Sequence, residues 1–455
     1  MSGRGARPRL RRAAASILAA GLAAADPYRL VRRHLVLRGR TLRVAGLRHV
    51  LGRGRLVVVA AGKAASTMAR AAEAVLGSTV SESLAVDVSD QVLLVRTRRL
   101  LAGHPVPDEA GRRAAEEVES LARGLGANDL LLLLVSGGAS ALLPAPVEGL
   151  TLDDKARTTA TLLRAGATIT ELNTVRKHLS RLKGGGLARA ASPARVACLA
   201  LSDVIGDDPS TIASGLAAPD PTTYGQAVEV LERKGVRGAV PAAVRRHLEA
   251  GARGEQPETP KPGDPLFRRV SFTVVGSNRL SLDAAAREAR RQGLRPLLLT
   301  TRLEGEAREV ARALVAILRE CVEAGRPASP PVCLLAGGET TVTVTGGGRG
   351  GRNQELALSA ADPLAAFSVP AVVASLATDG VDGNSDAAGG VTDDRTVHRA
   401  EALGLAPAPA FLAENDSRSF LGPLGDLILT GPTGTNVMDL TALVAGARAG
   451  RQRGL

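Results

Sequence analysis

The sequence predicts an α/β fold with two domains. Short, unbroken apolar runs indicate buried strands, and Leu130–Val135 (LLLLLV) is the clearest of them. Such runs end in glycine and polar residues and are followed by segments with helical spacing, an alternation typical of parallel sheets. At 455 residues, 45% of them hydrophobic, the chain is long enough to form two hydrophobic cores.

The formal net charge of +13 comes from arginine, because only six of the 58 basic residues are lysine. The arginines are scattered rather than gathered in blocks, which favours a solvated surface over a nucleic-acid interface. Aromatic residues make up 2% of the chain, too few for the stacking platforms that bind single strands. We therefore expect no nucleic-acid partner, although a basic cleft for an acidic small molecule remains compatible with this composition.

Lysine and cysteine are both informative because they are rare. Lys63, Lys177 and Lys183 fall in motif-like stretches, where a compact ammonium group is indicated in place of arginine. The three cysteines, at 198, 321 and 333, have no metal-like spacing and indicate neither a disulfide framework nor an oxidising compartment.

The N-terminus imitates a secretory signal, with basic residues before the apolar segment AAASILAAGLAAA. That segment is about 13 residues long, too short to span a membrane. We favour a first helix that closes before Asp26–Pro27, and we expect a cytoplasmic protein without membrane association.

The elements of the first half follow from the same patterns. A hairpin is expected over 35–47. Strands are expected at 56–61, 91–96, 130–135 and 196–201, and helices at 65–76, 108–124 and 153–166. Helical spacing in the basic stretch 175–183 would bring Arg176, Ser180 and Lys183 to one side.

A stretch rich in proline and glycine, 251–265, is the predicted linker between the domains. The predicted domains therefore cover 1–250 and 266–455. In the second domain, strands are expected at 270–275, 296–301, 332–336, 340–345, 372–377 and 427–430.

The first candidate site is the loop that closes the central strand, Ser136–Gly137–Gly138–Ala139–Ser140. Its glycines allow a sharp turn and a close approach to a ligand, and a helix beginning there would point N–H groups into the turn. An ordinary strand–helix turn is the alternative. The loop is neither a Walker A loop nor the dinucleotide fingerprint.

Two cations and one acid are further candidates. Lys63 follows a buried strand on a glycine turn, the usual place for a ligand-facing side chain in an open α/β sheet. Arg352 follows a run of glycines and has the fork geometry that suits phosphate or carboxylate, although the run could also be a flexible hairpin tip. Glu339 could bind a metal or a nucleotide hydroxyl, or simply close a hairpin turn. His104, between a glycine and a proline, could be catalytic, although a role in fixing its loop is favoured.

Acidic loops follow strands in both halves. The first contains Asp203, Asp207 and Asp208, and the second contains Asp379, Asp382 and Asp386. The second lacks the final glutamate of an EF-hand. A carboxylate here could act as a base on a substrate hydroxyl or hold Mg²⁺ through water, and the alternative is a turn held by Asx hydrogen bonds. No set of metal ligands is assigned.

The candidates share one chemical theme, namely anion-binding glycine loops, cations and carboxylates suited to Mg²⁺. The sequence gives only a weak indication of a paired nucleophile and base, since no G-x-S-x-G elbow is present. This inventory fits phosphoryl transfer, in which positioning and charge neutralisation dominate.

Motifs along nearly the whole chain resemble the ATP-dependent glycerate 2-kinase family. In the first half they are GKAA (62–65), GHPVPDEAG (103–111), VSGGASALL (135–143), ELNTVRKHLSRLKGG (171–185) and LSDVIGDDPSTIASG (201–215). The motifs of the second half resemble the family's C-terminal MOFRL domain, and they are LAGGETTVTVTGGGRGGRNQELAL (335–358), ATDGVDGNSDAAGG (377–390) and TGPTGTNVMDL (430–440).

The resemblance implies a Rossmann-like N-terminal domain with a parallel sheet, a second α/β domain and an active site in the cleft between them. It implies transfer of the ATP γ-phosphoryl group to the 2-hydroxyl of D-glycerate, with ATP and Mg²⁺ as cofactors. A homo-oligomer is compatible with it. Relatives are also named hydroxypyruvate reductase, which makes that activity the alternative function.

Residues are assigned by their positions in the matching motifs. Lys63 and Arg352 are the candidates for charge stabilisation, and Asp379 is the candidate base or metal-side carboxylate. The phosphate-facing loop comprises Ser136, Gly137, Gly138 and Ser140. The remaining cleft residues are Asp203, Glu339 and Asn436.

Overall fold

A computed structural model describes residues 3–447, and its contacts form two units. One unit contains Pro27–Val275, and the other contains Gly276–Leu455 together with Met1–Asp26. The first helix, α1 (Gly3–Ala24), therefore belongs to the C-terminal unit.

The N-terminal unit begins with α2 (Pro27–His34) and a small antiparallel sheet of β1 (Leu35–Arg38), β2 (Thr41–Val44) and β3 (Leu47–Val50). The main sheet contains β4 (Leu56–Ala61), β5 (Glu82–Asp87), β6 (Arg98–Leu101), β7 (Leu130–Val135), β8 (Arg195–Leu201) and β9 (Val270–Gly276). Its helices are α3 (Ala65–Leu76), α4 (Glu109–Arg123), α5 (Ala139–Leu142), α6 (Leu152–Arg164), α7 (Ile169–His178), α8 (Gly186–Ala191), α9 (Tyr224–Arg233) and α10 (Ala242–Ala252).

The main sheet has the strand order β6–β5–β4–β7–β8–β9, which is that of a doubly wound sheet. The pairs from β6 to β8 are parallel. β4 and β7 lie side by side at the centre, and every residue of both strands is buried, as their unbroken apolar runs predict. After β4 the sheet continues to one side and after β7 to the other, so the loops that leave these two strands diverge and open a crevice.

The C-terminal unit has a mixed sheet in the order β10–β11–β15–β12–β13–β14, in which only the β10–β11 pair is parallel. Its strands are β10 (Arg295–Leu303), β11 (Val332–Gly338), β12 (Ala371–Ala377), β13 (Gly389–Asp393), β14 (Leu427–Ile428) and β15 (Asp439–Ala445). Its further helices are α11 (Asn278–Arg291), α12 (Ala307–Ala324), α13 (Arg352–Ala365), α14 (Thr396–Ala402), α15 (Ala408–Ala413) and α16 (Ser417–Leu421).

Alternating side chains of the central C-terminal strands fill two cores. Cys333 and Leu335 pack with α1 and α11 on one face, whereas Leu334 packs with α12 and α13 on the other. Ile17 of α1 is fully buried in the first of these cores. The sheet is therefore covered on both faces, and α1 is one of the helices that cover it.

The units differ from the expected division of the chain in two ways. Residues up to 26 group with the second half, because α1 buries its apolar face against the C-terminal sheet. The stretch 251–265 lies inside the N-terminal unit, since the strand after it, β9, completes the N-terminal sheet beside β8.

Most predicted elements are present, and two predicted strands were wrong. The segment 91–96 is irregular, and the edge strand of the sheet is β6 instead. The alternating threonines and valines of 340–345 form only an isolated bridge at Thr341, because they run across Gly305 and Glu306 rather than along a strand. Within residues 3–447, no helix has both the length and the apolar character needed to cross a bilayer.

Candidate active site

Two loops meet at the divergence of β4 and β7. Gly62 and Lys63 follow β4, and Ser136 follows β7. The backbone N–H of Lys63 donates to the carbonyl of Gly137 at 2.9 Å, and the N–H of Ala64 donates to Ser136 Oγ at 3.0 Å. These bonds fix the half-buried Lys63 beside the serine–glycine loop, in the crevice where open α/β sheets bind ligands.

Glycine is required at Gly62 because the two loops approach so closely. Its φ is +124°, and a Cβ there would lie 2.3 Å from Ser136 Oγ. The turn of the motif GKAA is therefore determined by the loop on the neighbouring strand.

A third loop completes this cluster. A Cβ on Gly137 would lie 1.9 Å from Asp203 Oδ2, so the Asp203 carboxylate, which follows β8, lies directly against the glycine loop. A Cβ on Gly138 would lie 3.1 Å from the His104 ring and 3.2 Å from Lys63 Cγ. The structure thus brings together Lys63, Ser136–Gly138 and Asp203, which the sequence had placed in separate motifs.

His104 is part of the same cluster. Burial lowers the pKa of its imidazole, and the positive charge of Lys63 lowers that pKa further. The ring is therefore uncharged at neutral pH and can accept a hydrogen bond beside an ammonium group. The sequence favoured a loop-fixing role over a catalytic one, and the structure puts this ring at the candidate site.

Ser140 is held by two basic side chains. Arg176 Nη2 donates to Ser140 Oγ at 2.8 Å, and Lys183 Nζ donates to the Ser140 carbonyl at 2.7 Å. Helix α7 ends at His178, so Arg176 and Lys183 do not share a helical face as predicted, yet both reach the same residue because the chain folds back after the helix. Burial lowers the pKa of Lys183, as do the charges of Lys155 and Arg176.

The helix expected behind the glycine loop is short. α5 has only four residues, so it contributes a small dipole at most. Positive charge at the loop comes instead from the side chain of Lys63, whose Cγ lies 3.2 Å from the position of a Cβ on Gly138.

The C-terminal unit has a separate cluster around Arg352, the first residue of α13. Its guanidinium makes a bidentate contact with Asp439, with Nε–Oδ2 at 2.6 Å and Nη2–Oδ1 at 3.0 Å. Its Nη1 lies 2.9 Å from Glu339 Oε1. Arg352 is partly exposed, Asp439 is buried and Glu339 is exposed, so the guanidinium is anchored by a buried carboxylate on one side and paired with an exposed one on the other.

The charge state of this cluster follows from burial and pairing. Burial raises the pKa of Asp439 to about 6, although its contacts with Arg352 lower it. Burial alone would lower the pKa of Arg352, but Asp439 and Glu339 raise it. Both groups are therefore ionised at neutral pH. Asp439 was not predicted as a site residue; its signal was an acid at the start of a strand, directly after a glycine-rich loop.

The three aspartates of the acidic loop after β12 have different roles. Asp382 accepts hydrogen bonds from the backbone N–H groups of Asn353 and Gln354 at 3.0 and 2.8 Å, so it caps the start of α13. Asp386 pairs with Arg418 on the surface. Only the half-buried Asp379 remains as a candidate, and its Oδ1 accepts from the N–H of Val381 at 3.2 Å.

Two further loop residues, Asp208 and Asn436, make local hydrogen bonds. Asp208 accepts from Ser210 and Thr211 in a local turn, so the Asx alternative holds there. Asn436 Oδ1 accepts from the N–H of Met438 at 3.0 Å, which shapes the loop that leads into β15.

The glycine run before Arg352 is neither a hairpin tip nor a variable insertion. A Cβ on Gly346 or Gly348 would lie about 2.5 Å or less from the backbone or side chains of residues 414–416, and one on Gly351 would lie 2.3 Å from Asp382. The run therefore packs tightly against two other segments, and this packing places Arg352 at the start of α13.

A metal centre built from protein side chains alone is absent from residues 3–447. Among the described residues, no group of three or more His, Cys, Asp or Glu side chains is placed to hold a metal ion. Mg²⁺ commonly binds through one or two carboxylates together with substrate phosphates and water. A single carboxylate beside the glycine loop, such as that of Asp203, fits this mode of binding. The described residues do not provide a site made of protein ligands alone.

Comparisons with known proteins agree with this two-part architecture. A family model described as "Domain of unknown function (DUF4147)" matches residues 13–249, and the MOFRL family model matches 332–439. A protein of Pyrococcus horikoshii named glycerate 2-kinase is 42% identical over 430 residues, covering 94% of this chain and 96% of its own.

Two further proteins are similar over most of their length. A protein of Agrobacterium vitis named putative hydroxypyruvate reductase is 43% identical over 87% of this chain and 88% of its own. The crystal structure of a glycerate kinase from Thermotoga maritima superposes with a TM-score of 0.83 at 38% identity, covering 96% of this chain and 99% of its own.

Proposed function

The chain belongs to the glycerate kinase family, and from this premise we propose that it transfers the γ-phosphoryl group of ATP to the 2-hydroxyl of D-glycerate. The observation that carries the proposal is the 42% identity, over 94% of the chain, to the P. horikoshii protein named glycerate 2-kinase. The products are 2-phosphoglycerate and ADP. We further propose that the enzyme acts in the cytoplasm.

In this proposal the N-terminal cluster binds phosphate. The side chain of Lys63 lies between the diverging loops, with its Cγ 3.2 Å from the position of a Cβ on Gly138, and the backbone N–H groups of Lys63 and Ala64 bond to the serine–glycine loop. A compact cation and backbone donors stabilise the charge on the equatorial oxygens of a transferring phosphoryl group. Asp203 is the carboxylate nearest to the loop glycines, and it is the side chain that we assign to Mg²⁺, through water. When bound, Mg²⁺ neutralises charge on the nucleotide phosphates.

The C-terminal cluster supplies a second cation and the candidate base. Arg352 is oriented by the buried Asp439, and its Nη1 pairs with the exposed Glu339, a contact that the carboxylate of glycerate or a phosphoryl oxygen could replace. Asp379 is the acceptor that we assign to the 2-hydroxyl proton. As the oxygen of that hydroxyl bonds to the γ-phosphorus, the bond from the γ-phosphorus to the β–γ bridging oxygen breaks and ADP leaves.

Hydroxypyruvate reduction is the alternative, because two relatives from A. vitis carry the name putative hydroxypyruvate reductase. Reduction requires a nicotinamide cofactor, and neither strand-end loop at the N-terminal crevice, GKAA or SGGAS, has the G-x-G-x-x-G pattern that binds one. We therefore favour the kinase.

One assay separates these functions. The purified chain is incubated with D-glycerate, ATP and Mg²⁺, and the products are identified by ³¹P NMR. We expect 2-phosphoglycerate and ADP in equal amounts. Formation of 3-phosphoglycerate would reject the proposed regiochemistry. Oxidation of NADH with hydroxypyruvate, in the absence of any phosphoglycerate, would replace the kinase by the reductase.

A further inference from the structure

The N-terminal unit contains a polar cavity that the proposed reaction does not use. Its volume is about 660 Å³, within the range of sites that hold small molecules. Its walls come from α4, α7–α10 and the loops beside them. None of the residues that line it belongs to the strand-end loops around Lys63 and Ser136.

One wall contains guanidinium groups in excess of carboxylates. Glu119 is shared by two arginines, with Arg123 Nη2 donating at 2.7 Å and Arg181 Nε at 2.8 Å. Arg189, also in the lining, is exposed and has no carboxylate partner among the described residues. The only other acid in the lining, Glu148, is exposed. One carboxylate therefore serves two guanidinium groups while a third remains unmatched, so this wall favours an anion.

The opposite wall is rigid and polar. The Tyr224 hydroxyl lies 3.3 Å from His247 Nε2, and that nitrogen lies 2.9 Å from the carbonyl of His178. The rings of His178 and Tyr224 pack with their centroids 4.5 Å apart. Lys177, which also lines the cavity, is neutralised by Asp220 at 3.2 Å. These contacts hold the wall in one arrangement, so a ligand would enter a site that is already formed.

The mouth of the cavity carries further polar groups. Gln256 and Arg189 both line the cavity and are exposed, and within the described residues the Gln256 amide has no protein hydrogen-bond partner. A polar anion would pair with these hydrated groups, whereas an apolar or cationic ligand would displace their water without replacing its hydrogen bonds.

We propose that this cavity is a second binding site, for a small organic anion that carries a carboxylate or a phosphate group. A ligand in this cavity could affect the reaction site through a short series of contacts. The segment from Lys177 to Arg181 forms part of the cavity wall, and its neighbours Arg176 and Lys183 both hold Ser140.

Thermal unfolding of the full chain tests the site without any dependence on catalysis. Inorganic phosphate and malonate serve as the two probes, each compared with sodium chloride at the same ionic strength. We expect one or both to raise the melting temperature by about 2 °C beyond the salt control. Phosphate alone would identify a phosphate site, and malonate alone would identify a carboxylate site.

Three variants locate the effect. Arg189→Ala is expected to remove the part of the shift that comes from the cavity and to leave basal kinase activity unchanged. Lys63→Ala removes any contribution of phosphate bound at the strand-end loops, and the part of the shift that Arg189→Ala removes should remain in this variant, because Lys63 lies outside the cavity. Arg246→Ala, an exposed arginine on the same helix as His247, is the matched control and should behave as the wild type. The proposal is overturned if neither probe exceeds the salt control, if Arg189→Ala keeps the full shift, or if Lys63→Ala removes it.

Discussion

The two candidate clusters hold their cations in opposite ways. Lys63 is positioned through the backbone, since its N–H and that of Ala64 bond to the neighbouring loop while its side chain extends into the crevice. Arg352 is positioned through its side chain, by two hydrogen bonds to the buried Asp439. A backbone-held cation can be removed without disturbing its surroundings, whereas a cation paired with a buried acid cannot.

The largest effect is therefore expected for Arg352→Ala. It should lower kcat by about 10³-fold or more, and it should also reduce the unfolding free energy by about 3 kcal/mol, because Asp439 is left buried without its partner. Urea denaturation and steady-state kinetics measure the two effects. The double variant Arg352→Ala/Asp439→Asn should recover part of the stability but none of the activity.

A surface pair is the matched control for this loss. Arg418→Ala removes the partner of Asp386 at the surface and should lower the unfolding free energy far less than Arg352→Ala does. If Arg352→Ala were no more destabilising than Arg418→Ala, the contrast between the two modes of holding a cation would fail.

The second prediction concerns Lys63→Ala. We expect kcat to fall by about 10²- to 10³-fold while the unfolding free energy changes by less than about 0.5 kcal/mol, since the backbone contacts that shape the loop remain. Kinetics and urea denaturation of the same sample provide the measurement. A variant that unfolds, or one that is fully active, would contradict the assignment.

The third prediction uses the close contact of the glycine loop with Asp203. Gly137→Ala introduces a Cβ that would lie 1.9 Å from Asp203 Oδ2, so the carboxylate must move. We expect activity to fall about tenfold with the fold retained, because a displacement of about 1 Å can cost that much or more. Gly124→Ala is the control, as its Cβ would have no neighbour closer than 3.5 Å, and it should leave activity unchanged.

The smallest effect is expected in the pH dependence of the Arg352 cluster. The folded-state pKa of Asp439 is about 6, above its ordinary value of 3.8, so Asp439 binds a proton as the pH falls through 6 and its pairing with Arg352 weakens. Wild-type kcat/KM should decrease below pH 6, and Asp439→Asn should have low activity without this step. Asp386→Asn, which alters an exposed pair, should keep the wild-type profile.

The stability of the same variant provides a second measurement, with a defined sign. A raised pKa means that the folded state binds the proton more tightly than the unfolded state, so Asp439 stabilises the fold most below pH 3.8. This contribution is lost as the pH rises through about 6. The unfolding free energy of the wild type relative to Asp439→Asn should therefore decrease over that interval, as chemical denaturation at a series of pH values would measure.

Local patterns were sufficient where one physical cause dominated. The apolar runs of β4 and β7 predicted two fully buried central strands, and the glycine and polar residues after them marked the loops of the candidate site. The strand predicted at 340–345 was wrong, because threonine and valine also alternate in a segment that only crosses a neighbouring loop. The edge strand near 98–101 was misplaced because edge strands are half exposed and carry a weak pattern.

Lysine use shows what long-range structure adds to such patterns. Its scarcity suggested special positions, and three of the six lysines, 155, 177 and 183, are indeed buried. The hydrogen-bond partners of these lysines could not be predicted from the sequence. Lys183 bonds to the carbonyls of Ser140 and Leu143, about forty residues away, and Lys177 bonds to Asp220.

The sequence by itself determined the α/β class, the candidate loops and the family, because apolar periodicity and loop motifs are local properties of the chain. Only the tertiary structure decided which loops meet and what each acid does. It joined Lys63 to Ser136 and Asp203, made Asp382 a helix cap and made Asp439 the partner of Arg352. It also grouped α1 with the C-terminal sheet. Strand order and the burial of charges depend on contacts between distant residues, and no local pattern encodes them.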